Sequence, residues 1–172
     1  NEVSLNVNSP SMAVQSFDGS GDLTVAAGAH LTADHVRQAS LTLKGSTSVH
    51  SQPIANSDPS TSSLNMLTIM GTGQLDLTDN RLAINYPAGQ SPLSTIRSYL
   101  TTGYHGGAWN GPGIITSSGD ATHALGYADS ADGVVKNLPA NTVLVEFARV
   151  GDADLDGKVD FNDLVTLARH YN

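Results

Sequence analysis

The chain has 172 residues, enough for one medium domain or for one domain with a small appendix. Its formal net charge of −8 disfavours nucleic acid and anionic membranes as partners. It has no cysteine for disulfides, and only 14% of its residues are charged, so its polar surface must be built from Ser, Thr, Asn, Gln and Gly, as in many secreted β-proteins.

The ends of the chain give little information about targeting. No segment of the sequence is long and apolar enough to span a bilayer, and no signal peptide is visible. The chain begins at Asn1 without Met, which suggests a processed or excised fragment.

Residues 1–86 show short alternating strands broken by Gly, Asn and Ser. A weak repeat places two apolar residues on one face and glycine soon afterwards, at residues 23–25, 41–43 and 67–69, with residues 5–7 as a degenerate earlier copy. Second strands follow around Leu31, Val49 and residues 75–77. Units too small to fold alone predict the stacked rungs of a β-solenoid, and an antiparallel β-sandwich is the alternative.

The first strand has no obvious cap. Val3, Leu5 and Val7 share one face of a short alternating strand, Pro10 follows, and no amphipathic helix precedes it. Solenoid ends carry unpaired backbone groups, so this strand is expected to add to the edge of a neighbouring copy.

Residues 87–150 change character. Ser91 is a plausible N-cap before Pro92, and apolar residues follow on one helical face until Gly103: Leu93, Ile96 and Leu100. A short helix is predicted within residues 120–133. Residues 141–150 are apolar on both faces and predict a central strand.

Three groups of polar residues have patterns that structural roles explain better than catalysis or metal binding. Asp76 and Asp79 near Arg81 resemble the carboxylates and arginine of β-helix pectate lyases, but a turn with a surface ion pair is the favoured interpretation. Asp18 and Asp22 flank a turn that leaves a second cation site open as a hypothesis. The histidines show no zinc-binding spacing: His30, His35, His50, His105, His123 and His170.

Trp109 is the one tryptophan and lies in a glycine-rich segment. A flat ring of this kind can stack on a sugar. A lone tryptophan among glycines is more typical of an anchor that packs a loop on the core, and we favour that interpretation.

The strongest pattern is GDADLDGKVDFNDL, at residues 151–164. Counted from Asp152, oxygen ligands fall at the EF-hand positions 1, 3, 5, 7, 9 and 12, with Gly157 at position 6 for the sharp turn. Calcium requires six to eight oxygen ligands, which such a loop supplies. The predicted calcium ligands are Asp152, Asp154, Asp156, the Lys158 carbonyl, Asp160 and Asp163.

Two departures from an EF-hand are informative. Position 12 is Asp163 instead of Glu, and a strand at residues 143–150 replaces the incoming helix. These features resemble one type I dockerin repeat, which has only an exit helix, here residues 164–170. Dockerins normally carry two repeats and bind cohesin modules. Phe161 and Asn162 fall at dockerin specificity positions, although we expect Phe161 to be a core residue.

The last hundred residues also carry a wider resemblance. The segments LDLTDNRLAINY, SPLSTIRSYLTTGYHGGAWNGPGIITSS, ALGYADS and GDADLDGKVDFNDLVTLARHY are similar to the C-terminal regions of large secreted planctomycete-type proteins, which carry autotransporter-like β-strand repeats and a lone dockerin-like repeat. The resemblance implies an extracellular or cell-surface location and transfers no catalytic activity.

Together these patterns predict a mainly β, solenoid-like protein in three parts: a β-rich region at 1–86, an α/β closing segment at 87–150 of the same domain, and a half-EF-hand loop with its helix at 151–172. The predicted function is that of a calcium-stabilised structural subunit or terminal module in a self-assembling surface fibre or array. A glycan- or cohesin-binding module is the alternative, and a polysaccharide lyase ranks third. We predict no catalytic residue, a homo-oligomer or homopolymer, and an extracellular polysaccharide as a further candidate partner.

Overall fold

The computed structural model describes residues 4–170, except for the side chain of His170. The chain is mainly β, with thirteen strands and two α-helices in these residues. The strands are β1 Ser4–Val7, β2 Met12–Ala13, β3 Phe17–Asp18, β4 Asp22–Val25, β5 His30–Ala33, β6 Val36–Leu43, β7 Ser46–Val49, β8 Ser62–Ile69, β9 Gln74–Asp76, β10 Leu82–Asn85, β11 Gly113–Ile115, β12 His123–Asp129 and β13 Thr142–Arg149. The helices are α1 Leu93–Tyr104 and α2 Phe161–His170.

The strands form two sheets. The larger has the order β1-β4-β6-β8-β10-β13-β12, with β3 also paired to β6, and the smaller has the order β11-β9-β7-β5-β2. From β4 to β10 the chain alternates between the two sheets. The connection between two successive parallel strands of one sheet therefore contains a strand of the other sheet. Every pairing among β1 to β11 is parallel, so the antiparallel pairing that a sandwich of these strands needs is not present.

The leucine–threonine repeat lies in register across the larger sheet. Leu5 aligns with Leu23, Leu23 with Leu41, and Leu41 with Leu67. The three later leucines are buried in the core between the sheets, whereas Leu5 at the end of the row is 41% exposed. Within residues 4–170 the core is therefore partly uncovered at Leu5, although Val7 on the same strand is buried, and the only partner of β1 among the described strands is β4. Val3 lies outside the described residues.

The other end of the fold is covered. Helix α1 buries Ile96 and Leu100, as its sequence predicts, and partly buries Leu93. Gly103, the predicted end of the helix, is buried within its last turn. The N-cap is Pro92 and not the predicted Ser91, although the Ser91 hydroxyl accepts the N–H of Leu93. A Cβ on Gly103 would lie 2.0 Å from the carbonyl oxygen of Ile114, so glycine permits the close packing of α1 on β11.

Strand β13 confirms the prediction of a central strand at residues 141–150, because it lies between β10 and β12 and pairs with both in antiparallel fashion. The prediction of a short helix within residues 120–133 is wrong. Residues 123–129 form β12, and only a 3-10 turn at Ser130–Asp132 follows. The reason is non-local, since the seven residues of β12 pair along β13, which local propensity does not reveal.

Candidate metal centre

The aspartate-rich loop joins β13 to α2. Its first three predicted ligands come together: one carboxylate oxygen from each of Asp152, Asp154 and Asp156 lies within 4.8 Å of the others. Asp152 and Asp154 are buried, and Asp156 is exposed. This is the only such group among residues 4–169, and it can hold a metal ion.

Backbone hydrogen bonds to Asp152 fold the loop around it. Its Oδ1 accepts the N–H of Asp156 at 3.1 Å, and its Oδ2 accepts the N–H of Gly157 at 2.9 Å. Gly157 has φ = 87°, which glycine adopts without strain, as the glycine at position 6 of the pattern predicts. The carboxylates are therefore gathered by the chain itself.

Asp163 fastens α2 to the start of the loop. Its Oδ1 accepts the N–H groups of Ala153 at 2.7 Å and Asp154 at 3.3 Å, and its Oδ2 accepts that of Asp160 at 2.6 Å. The bond from Asp160, followed by those from Ala153 and Asp154, lowers the pKa of Asp163. A buried carboxylate held in this way stays ionised beside the three-aspartate group.

The group concentrates negative charge where water has little access. Burial raises the pKa of both Asp152 and Asp154, and the charges of Asp156 and Asp163 raise both further. Asp154 Oδ1 is buried and has no hydrogen-bond partner among the described residues. Such an oxygen carries a desolvation cost that a bound cation would remove.

The remaining predicted ligands lie outside the three-aspartate group. Asp163 contacts the loop backbone, and Asp160 Oδ1 accepts the N–H of Asn162 at 2.7 Å, at the start of α2. This contact explains why the helix begins at Phe161 and not at residue 164. Lys158 donates its N–H to Asp156, and its carbonyl as a ligand stays a prediction.

Leu155 is a site residue that sequence analysis did not identify. It has φ = 54°, and its side chain lies so close to β12 that a Cβ on Gly126 would be 2.6 Å from Leu155 Cδ2. The signal available was an apolar residue inside an otherwise acidic loop. Leu155 packs the loop against β12, so the positions of the loop carboxylates depend on that strand.

Beneath the loop, Glu146 on β13 is buried, and its Oε2 lies 3.5 Å from Arg81 Nε. Burial raises the pKa of Glu146 from 4.5 to about 7, opposed by the charge of Arg81 and reinforced by that of Asp152. The native state therefore holds this proton more tightly than the unfolded chain does. Its contribution to stability is fully present below pH 4.5 and is lost as the pH rises through about 7.

We expect Glu146→Gln to flatten the pH dependence of the free energy of unfolding across this window. Above about pH 8 the variant should be more stable than the original chain, by at most about 3 kcal/mol. Denaturant unfolding at several pH values, at constant free calcium, measures this difference, and Asp132→Asn, at an exposed carboxylate, is the control. A variant with the same pH slope as the original chain would contradict the role of Glu146.

The other polar residues considered from sequence are not brought together as a site. Asp18 accepts a hydrogen bond from His35 and Asp22 accepts one from Ser40, so each has its own partner and they form no metal group with a third ligand. Asp76 Oδ1 accepts the backbone N–H groups of Thr78 and Ser117, and Asp79 Oδ2 accepts the Ser51 hydroxyl. Arg81 contacts Asp58 and Glu146 instead of Asp76 or Asp79.

Trp109 packs in its own loop. Its ring meets that of Tyr104 edge-on, with 5.1 Å between centroids, and a Cβ on Gly119 would lie 3.1 Å from the indole. The ring is half-buried, which fits an anchor more closely than an open platform for sugar.

No helix within the described residues is long and apolar enough to cross a membrane. Comparisons with protein-family models, with curated proteins and with solved structures give no match to this chain.

Proposed function

We propose that this chain is a calcium-stabilised structural subunit of an extracellular or cell-surface assembly, and that it assembles with copies of itself through two separate surfaces. The observation that carries the proposal is the unpaired edge of β1 beside the partly exposed Leu5. Among residues 4–170, this edge carries backbone and apolar groups that a second copy would satisfy.

Calcium is the proposed ion because every predicted side-chain ligand of the loop is a carboxylate oxygen. Hard divalent cations prefer such oxygens, and the three-aspartate group offers no softer ligand. The unpartnered Asp154 Oδ1 supports an ion at this point. Asp160, Asp163 and the carbonyl of Lys158 would complete the coordination after a small adjustment of the loop.

The strand order supports a β-solenoid as the finer description of the fold. Parallel strands that alternate between two facing sheets are what successive coils would produce, and the aligned leucines fill the space between them. Helix α1 with the β12–β13 pair would close one end of this solenoid, and β1 would leave the other open.

The first proposed contact joins two β1 strands. The carbonyl oxygen of Val7 accepts the N–H of Ala26, so the backbone groups of Val7 face β4. Because successive residues of a strand face opposite edges, the N–H of Asn6 points to the other edge of β1. Antiparallel pairing of β1 with the same strand of a second copy would use that edge and cover both Leu5 side chains.

The second proposed contact joins two loop–helix regions. Four apolar side chains are more than half exposed there: Val159, Phe161, Leu164 and Leu167. The structure therefore contradicts the prediction that Phe161 is a core residue, because Phe161 is 73% exposed. The ring does not line the neighbouring hollow of about 440 Å³, where Val159, Leu164 and Leu167 lie together with Gly151, Ala153, Asp152, Asp160 and Asp163. The exposed apolar side chains of one copy would be covered by the same side chains of a second copy under two-fold symmetry.

Two different two-fold contacts on one subunit generate a linear chain of copies. Each copy would meet one neighbour through β1 and another through α2. These regions lie toward opposite ends of the strand order, since β1 begins the larger sheet and the calcium loop rests on β12 at its other end. This arrangement would produce a fibre instead of a closed dimer.

We infer a structural role and not an enzymatic one. Within residues 4–169, the three-aspartate group is the only candidate metal cluster, and the lyase-like residues Asp76, Asp79 and Arg81 are separated by their own contacts. An extracellular setting is supported by the small fraction of charged residues and by the family resemblance.

Light scattering and electron microscopy of the full chain at high concentration, with calcium present, test this proposal. We expect extended multimers whose mass grows with protein concentration. A chain that stays monomeric under these conditions would overturn the structural-subunit proposal.

A further inference from the structure

We propose that the hollow on the outer face of the larger sheet, bounded by Arg37, Arg81 and Lys136, binds a carboxylate-bearing segment of an acidic polysaccharide. None of its lining residues belongs to the proposed calcium loop or to either proposed contact between copies, although Lys136 also lines a neighbouring hollow that includes Asp154. It would give the subunit a ligand in addition to its own copies.

The floor of the hollow is a row of aligned positions across four strands. Arg37 on β6 pairs in register with Ser63 on β8, Ser63 with Ala83 on β10, and Ala83 with Leu144 on β13. All four line a hollow of about 400 Å³, within the range of small-ligand sites. The segment that carries Lys136 forms one wall.

The charge of the hollow is opposite to that of the molecule. It contains three of the chain's eight lysine and arginine residues, but among its lining residues only Asp58 is acidic, although the chain has sixteen acidic residues. The Asp58 carboxylate is 96% exposed, so its attraction for Arg81 at 3.5 Å is strongly screened. A basic hollow on an acidic protein favours an anionic ligand.

Arg37 is held in place by neutral acceptors. Its guanidinium donates to the backbone carbonyls of Thr61 at 3.0 Å and Pro59 at 2.8 Å, and also to that of Asp58. Its nearest carboxylate, on Asp18, lies 4.0 Å away and is half exposed. The carbonyls orient the guanidinium without neutralising it, which preorganises a positive charge at the hollow.

Arg81 and Lys136 keep donors that a ligand can use. Arg81 Nε is buried beside Glu146 Oε2 at 3.5 Å, so a ligand in the hollow would meet the terminal nitrogens of this guanidinium, one of which lies 3.5 Å from the exposed Asp58 carboxylate. Lys136 is exposed and forms no hydrogen bond or salt bridge within the described part of the chain, although its charge acts on Asp154. An oxyanion in the hollow would give both cations an acceptor.

The neighbouring groups favour a sugar acid over an acidic peptide. The hollow crosses the face of a sheet whose backbone groups are already paired, so a peptide cannot bind there by adding a strand. The side chains of Ser63, Asn85 and Thr61 supply hydroxyl and amide groups next to the cations. These groups match a ligand that carries hydroxyls beside each carboxylate.

Isothermal titration of the calcium-loaded full chain with a linear trigalacturonate tests the proposal. We expect binding that weakens when NaCl is raised from about 0.05 to about 0.5 M, and no binding of the neutral trigalactose. Arg81→Gln and Lys136→Gln should each reduce the affinity by about tenfold or more, since each removes a charged donor. Lys44→Gln, at an exposed lysine outside the hollow, should leave it unchanged.

Lys136→Gln keeps the test decisive if Arg81→Gln disturbs the fold, because the Lys136 side chain is exposed. Equal binding of trigalactose, equal binding of a short oligoglutamate, or wild-type affinity in Lys136→Gln would each overturn the proposal. Binding and self-assembly can be judged separately. A chain that binds trigalacturonate but stays monomeric would support this site and contradict fibre formation.

Discussion

Removing calcium with a chelator is expected to lower the melting temperature of the chain by about 10 °C. A site filled to about a thousand times its dissociation constant stabilises the native state by about 4 kcal/mol. For a chain of this size, each kcal/mol shifts the melting temperature by about 2 to 4 °C. The effect is large because the loop is attached directly to β13, the strand between β10 and β12. Calorimetry with and without chelator measures it.

Substitutions in the loop divide this effect into two parts. Asp154→Asn removes a carboxylate that calcium needs, but it also removes one charge from a mutually repulsive group. We therefore expect Asp154→Asn to be less stable than the original chain in calcium, and equally or more stable in chelator. Asp152→Ala should be less stable in both conditions, because Asp152 also accepts the N–H groups of Asp156 and Gly157.

Asp132→Asn is the matched control for these variants, since it removes an exposed carboxylate outside the loop. Its melting temperature should respond to calcium as that of the original chain does. A melting temperature that changes neither with the chelator nor with the loop substitutions would show that the loop is not a structural metal site.

Blocking one of the two proposed contacts between copies is expected to convert fibres into dimers, and blocking both should give monomers. Asn6→Pro removes the N–H that faces the free edge of β1. Leu164→Asp places a charge in the centre of the exposed apolar surface of α2. Each single variant retains the other contact, so sedimentation should find dimers for each and monomers for the double variant.

Two substitutions control for changes unrelated to assembly. Asn6→Ala keeps the backbone N–H and should still form fibres. Asn162→Asp adds the same charge to the same helix at an exposed polar position, and should also still form fibres. A monomer from either single contact variant, with its calcium-dependent melting intact, would contradict the two-contact arrangement.

Features that depend on neighbours along the chain could be predicted from the residues alone. The spacing of Asp152, Asp154 and Asp156 around Gly157 predicted a turn that gathers carboxylates, because the ligands of such a loop lie within a few residues of each other. The helical spacing of Leu93, Ile96 and Leu100 predicted the face of α1 that packs on the core, and the doubly apolar run at residues 141–150 predicted a central strand.

Features that depend on residues distant in the chain required the folded structure. Residues 123–129 form a strand because they pair with β13. Leu155, in the loop, packs against Gly126 of β12. Phe161 has the character of a core residue, yet Asp163 holds α2 to the loop backbone in an orientation that leaves the ring in solvent. The basic hollow joins residues from four strands and from three connecting segments, with Arg37 and Lys136 about a hundred positions apart. Local propensity and spacing carry no information about such long-range contacts, because the pairing of strands and the packing of side chains decide them together.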